Sequence, residues 1–199
     1  MTEMLDLFPA ARMMTEVIAG IRDDQLTART PCRDATLGDL LDHIGGLSVA
    51  FTAAAMKELG EITARPPIPS AANLGDDWRS RIPAQVAALA HAWHDPAAWT
   101  GTTQAGGLDL PGRIAGLVAL DELVIHGWDL AAAAGLPYRC DEASIAACTA
   151  FASTVTAEQR AEGGLFGPAV TVPDDATALQ RLIGMTGRDP SWTPPREAA

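Results

Sequence analysis

A glutamate and a histidine stand four residues apart inside an otherwise apolar, helix-forming run, Asp121-Glu122-Leu123-Val124-Ile125-His126-Gly127-Trp128-Asp129-Leu130. On a helix of 3.6 residues per turn, positions four apart share a face, with Cβ atoms about 6 Å apart. Glu122 and His126 can therefore point at one common atom. A carboxylate among Leu117, Val118, Leu120, Leu123, Val124 and Ile125 is too costly to bury alone. It faces solvent, meets a cation or meets a metal ion. A Glu–His hydrogen bond across one turn of a solvated face is the simplest account of the pair taken alone.

Helical periodicity extends through nearly the whole chain. Leu7, Ala11, Met14, Ile18 and Ile21 predict a first helix of about five turns. Thr36, with Asp39 three residues on, reads as the N-cap and variant capping box of a second helix. Its buried stripe is Leu37, Leu40, Leu41, Ile44, Leu47 and Phe51, and His43 belongs to that stripe. Gly60 to Ala72 holds three prolines and is a connection. Asn73 is placed to cap a third helix carrying Leu74, Trp78, Ile82, Val86, Leu89 and Trp93, with a kink or break near Ile82 at Pro83.

A glycine-rich passage from Gly101 to Gly107 leads to a fourth helix, with Pro111 in its first turn and Gly135 and Pro137 as its stop. Asp141 opens a fifth helix, Ile145 to about Val155, and a short sixth lies near Ala176 to Thr186. Val170-Thr171-Val172 is the only β-like fragment, and no strand pair is expected. The expected fold class is all-α, a bundle of four long amphipathic helices with short additional C-terminal helices. One domain spans 1–199, with a core of about 5–155 and an extension of about 156–199.

A formal net charge of −11 excludes the basic surface that a nucleic acid needs, so small molecules are the expected partners. Lys57 is the only lysine beside many arginines and alanines, a bias of high-GC genomes. The acidic start Met1-Thr2-Glu3-Met4-Leu5-Asp6 differs from a secretory signal, and the uncharged stretch from Ile44 to Met56 is too short for a membrane span. Cys32, Cys140 and Cys148 lack CxxC spacing and read as reduced thiols of a cytoplasmic protein.

Only four histidines exist, and two of them, His43 and His126, sit on apolar stripes of helices expected to pack together. If His43, Glu122 and His126 converge, they form three protein ligands with a coordination position left open, the pattern of a catalytic zinc. Two His and one carboxylate also suit Fe(II) or Ni(II). A di-iron centre needs paired E-x-x-H motifs, which are missing. Asp129, three residues beyond His126, can orient its free ring nitrogen, or can equally be a helix-surface residue. His91 and His94 flank Trp93 and read as surface residues, and Cys32 reads as a packed, inert thiol.

Thr30-Pro31-Cys32 before a helix with Leu40-Leu41-Asp42-His43, the run from Glu122 to Ala131, Phe166-Gly167-Pro168 and Gly187-Arg188-Asp189-Pro190-Ser191-Trp192 together resemble the DinB-like metal-binding bundles of actinobacteria. The best understood relatives are mycothiol-dependent maleylpyruvate isomerase and other thiol S-transferases. The resemblance implies a divalent metal, commonly zinc, on His43, Glu122 and His126, with mycothiol as cosubstrate. It also implies a further C-terminal domain that supplies thiol- and substrate-contacting residues. Only about sixty residues follow the fourth helix here, so those residues are expected to lack counterparts.

Two functions of different kinds follow. The first is a metal-dependent thiol transferase or isomerase, whose partners are a low-molecular-weight thiol and a small electrophile. The second is a non-catalytic bundle that binds a metal or a small molecule. Homodimerisation through helix faces is compatible with either.

Overall fold

The computed structural model describes residues 4–32, 35–66, 68–162 and 165–194. Met1–Glu3 of the acidic start, Arg33 and Asp34 of the loop before the second helix, and the last residues of the polar tail lie outside them.

Helix α2, Leu37–Met56, begins where the capping residues place it. The Thr36 hydroxyl accepts from the Asp39 backbone N–H at 3.2 Å, and Asp39 accepts from the Thr36 N–H at 2.9 Å, so two of the unpaired donors of the first turn are satisfied. Around α2 stand α1 (Phe8–Gly20), α3 (Trp78–Ala92) and α4 (Gly112–Ala134). Each helix packs chiefly on two neighbours, in the ring order α1, α3, α2, α4, so α1 and α2 face each other across the diagonal. The core is Leu, Ile, Val and Met from all four, with Met14, Leu41, Ile44, Ile82, Leu89 and Leu123 fully buried.

Several boundaries differ from expectation. α1 has 13 residues, under four turns, because buried Leu7 and Ile21 lie on its flanking caps rather than inside it. Asn73 closes a short 3-10 turn, Ala71–Asn73, and α3 starts only at Trp78. α3 runs through Pro83 without a break. The proline removes one hydrogen bond near the start of the helix, and burial of Ile82, Val86 and Leu89 on one face outweighs that loss. α4 is not amphipathic but apolar around most of its circumference. It is covered by α1, α2, α5, the Pro96–Trp99 turn and a hairpin.

That hairpin corrects the expectation that no strands pair. Thr102–Ala105 (β1) and Leu108–Pro111 (β2) run antiparallel, joined by Gly106 and Gly107. Their φ values of 59° and 82° fit a two-residue turn that requires positive φ at both positions, which glycine adopts without strain. Gly107 N–H donates to Thr63 O at 2.8 Å, so the hairpin also secures the proline-containing connection. Pro111 is therefore the last residue of β2 and the N-cap of α4, not a residue of its first turn.

After α4, helices α5 (Glu142–Ala152), α6 (Ala157–Ala161) and α7 (Ala178–Met185) complete the described chain. α6 was not expected; Thr156 and Gln159 cap it reciprocally. The Arg160 guanidinium donates to the carbonyls of Ala152, Val155 and Met185, which fastens the end of α7 to the end of α5. No helix of the described residues is long and apolar enough to cross a membrane.

Candidate metal centre

α2 and α4 are direct neighbours, and each offers its functional side chains to the seam between them. His43 comes from α2; Glu122 and His126 come from α4, one turn apart. Candidate ligand atoms of the three all lie within 4.8 Å of one another. Oε2 of Glu122 is 3.0 Å from Nε2 of His126 and 3.5 Å from Nε2 of His43, and the two imidazoles stand edge to face with centroids 5.1 Å apart. The expected three residues are therefore brought together, from sequence positions 79 and 83 apart.

The fit to an ion can be tested on these distances. Two atoms each about 2.1 Å from one tetrahedral ion sit about 3.4 Å apart, close to the separations seen. Glu122 Oε2 is buried and makes no well-aligned hydrogen bond, and His43 Nδ1 is buried without a partner among the described residues. Buried polar atoms are ordinarily satisfied, and an ion held among the three residues would satisfy Oε2 of Glu122. The donor set suits a divalent cation. The centre is open on one side, since the side chains of His43 and Glu122 keep 23% and 18% of their exposure.

Electrostatics agree. Burial opposes the charge on Glu122, but the two imidazoles outweigh it and hold its carboxyl well below the usual range. Burial likewise opposes a charge on His126, yet the Asp129 and Glu122 carboxylates on either side of its ring prevail and raise it to about 9. The carboxylates thus favour a positive charge at this point, from a proton or from a metal ion.

Asp129 is not a surface residue. It is fully buried, and its Oδ2 lies 3.0 Å from Nδ1 of His126. Arg188, from the segment after α7, donates to both of its oxygens. Cys32 also differs from expectation: it is half-buried beside the centre, with its thiol within 4.8 Å of a ligand atom of both His126 and Asp129. Cys148 is the packed thiol instead, and burial pushes it far up. His91 and His94 are exposed, as expected, and meet the Phe8 ring.

Two further residues escaped the sequence reading. Asp121, next to Glu122, is buried and pushed up to about 7, first by burial and then by the neighbouring Glu122 charge. A second acid in an apolar run was the available signal. Gly127 occupies the heart of the motif because a Cβ there would stand 2.9 Å from the Tyr138 hydroxyl, which donates to Val124 O at 2.9 Å.

Comparisons with known proteins place the chain. It is 26% identical over 174 residues to two uncharacterized proteins of Mycobacterium tuberculosis, MT0763 (strain CDC 1551 / Oshkosh) and Rv0738 (strain ATCC 25618 / H37Rv), a match that covers 86% of this chain and 90% of each of theirs. Its structure is similar to that of the mycothiol-dependent maleylpyruvate isomerase, with a TM-score of 0.66, 16% identity, and coverage of 93% of this chain and 88% of that one. A histidine-to-alanine mutant of that isomerase matches at a TM-score of 0.64 and 15% identity, over 92% and 87% of the two chains. These likenesses establish the DinB-like helical-bundle fold. The likeness extends over most of the isomerase's length. The sequence itself matches the family described as mycothiol maleylpyruvate isomerase N-terminal domain over residues 7–131, more than half of the chain, and the protein therefore belongs to that family.

Proposed function

We propose that the protein binds one divalent metal ion, zinc in the first instance, through His43, Glu122 and His126, and that it is a thiol-dependent S-transferase or isomerase with mycothiol as the thiol. The observation that carries this reading is the convergence of three ligand atoms from α2 and α4, with Asp129 on the remaining nitrogen of His126. Nickel and iron suit the same donors. The thiol follows from the family and from the name of the solved isomerase.

When bound, such an ion supplies the Lewis acidity that turns a thiol of ordinary pKa, about 8.5, into a thiolate near neutral pH. The protein's own groups prepare that chemistry. Asp129 accepts the Nδ1 proton of His126, which leaves the Nε2 lone pair directed at the centre. Glu122 supplies the negative charge in a largely buried setting, where charge interactions are stronger than in water. The open side admits small molecules. Addition of a thiol across an activated carbon–carbon double bond gives an S-conjugate; rotation about the resulting single bond followed by elimination of the thiol restores the double bond as the geometric isomer.

Elemental analysis of the purified protein beside His43→Ala and His126→Ala tests the metal. Near-stoichiometric metal in the wild type, lost in both variants, supports the centre. The metal-loaded protein is then assayed for thiol-dependent consumption of a panel of electrophiles. Metal binding without any turnover favours the alternative, a non-catalytic metal-binding bundle. Metal that is absent from the wild type, or unchanged in both variants, removes the reading.

A further inference from the structure

We propose that Arg188 is a positioning residue of the metal centre, coupling the docking of the segment after α7 to the affinity of His43, Glu122 and His126 for a divalent cation. The inference rests on the metal-binding reading above.

Arg188 reaches Asp129 from 59 residues away in the sequence. Its Nε donates to Oδ1 and Oδ2 of Asp129 at 3.0 and 3.1 Å, and its Nη2 to Oδ2 at 2.9 Å. The same Oδ2 faces Nδ1 of His126 at 3.0 Å. One carboxylate oxygen thus joins the C-terminal segment to a candidate ligand. The guanidinium is itself held: Nη1 donates to Thr186 O at 3.3 Å, and the Arg188 backbone N–H donates to Ile183 O at 3.2 Å, closing the end of α7. Gly187, at a φ of 86°, makes the turn that presents the side chain, with its Cα packed against Gly167.

A fully buried carboxylate held by a single imidazole can swing away, which would release Nδ1 and let the ring turn. Arg188 closes that route. Its fork pins both oxygens, which a lysine ammonium cannot reproduce. Coupling of this kind is reciprocal. Whatever affinity Arg188 lends to cation binding, a bound cation returns as tighter docking of residues 178–192.

Two measurements on the full chain test this. Zinc affinity is read by competition with a chromophoric chelator for the wild type, Arg188→Lys and Arg188→Met, and cobalt(II) absorption reports the ligand field in each. Arg188→Met is expected to bind zinc about 10- to 100-fold more weakly, Arg188→Lys to fall between, and both to alter the cobalt bands. Hydrogen exchange of the wild type, which requires no variant, is expected to slow in residues 178–192 on zinc binding. Wild-type affinity and cobalt bands in Arg188→Met, or exchange that zinc leaves unchanged, overturn the coupling while the metal centre stands. A wild type that binds no zinc overturns the metal reading, and the coupling with it.

Discussion

Nδ1 of His126 lies 3.0 Å from Oδ2 of Asp129, one turn further along α4, and Asp129 has no exposed surface. A ring nitrogen so held leaves Nε2, which faces Glu122, as the nitrogen turned toward the centre. Asp129→Asn keeps the shape but removes the charge that both His126 and Arg188 face. Zinc affinity is expected to fall by about 10- to 100-fold. Folding stability is expected to fall by about 3 kcal/mol, because a largely buried guanidinium loses its counter-ion. Chelator competition and urea unfolding read the two effects separately.

Gly127 and Tyr138 form a close contact that gives a second expectation. A methyl at position 127 would meet Tyr138 Oη at 2.9 Å and Cε2 at 3.0 Å. Gly127→Ala must therefore displace the ring and its hydrogen bond to Val124 O. The expected cost is about 1–3 kcal/mol, the usual range for forcing volume into a packed site. In a Tyr138→Phe background the hydroxyl is gone, so the same substitution should cost less; thermal unfolding of the four proteins measures the coupling. Equal costs in both backgrounds would mean that the hydroxyl does not set the fit.

The residues that were legible beforehand are those whose signals are local. Thr36 and Asp39 announce the start of α2 because both halves of the cap lie within four residues. Glu122 and His126 announce themselves because their spacing matches a helical turn, and His43 because histidine is scarce and this one interrupts an apolar stripe. The missed features depend on distant partners or on too few residues. β1 and β2 have four residues each, too short for alternation to show, and Gly106-Gly107 passed for loop although paired glycines are a hairpin signal. The spacing from His126 leaves Asp129 either inward or on the surface; the partner that lets it be buried is Arg188, far along the chain. Pro83 predicts a kink or break because its own chemistry is local, while the packing that carries α3 through it is not.

Asp39 gives an expectation about acid. Hydrogen bonds from the Thr36 hydroxyl, the Thr36 N–H and the Ala71 N–H hold its carboxyl below the usual value of 3.8. A carboxyl depressed in the folded state contributes stability that is fully present above its unfolded pKa and is lost as pH falls through its folded one. The stability difference between the wild type and Asp39→Asn should therefore hold steady from neutral pH down to about 5 and shrink below about 4. Urea midpoints across that range report it. A difference that stays constant to the lowest pH would remove Asp39 as the source. Thr36→Ala, which deletes the other half of the cap, is expected to cost about 1 kcal/mol at neutral pH.

Glu122 separates a metal centre from a plain ion pair. If the carboxylate exists only to pair with His43 and His126, Glu122→Gln leaves two buried imidazoles without their counter-ion, and the protein should lose stability with no ion involved. If it holds a cation, the wild type should gain stability from zinc that Glu122→Gln does not gain, whatever the metal-free variant loses. Cation affinity should then collapse. A full charge a few ångströms from the ion in a half-buried setting is worth on the order of 4 kcal/mol, close to a thousandfold. Calorimetric titration with zinc, beside thermal unfolding of the chelator-treated protein with and without added zinc, decides between them. Lost affinity, with no stabilisation of the variant by zinc, identifies Glu122 as a ligand; retained affinity makes it the partner of the histidines alone.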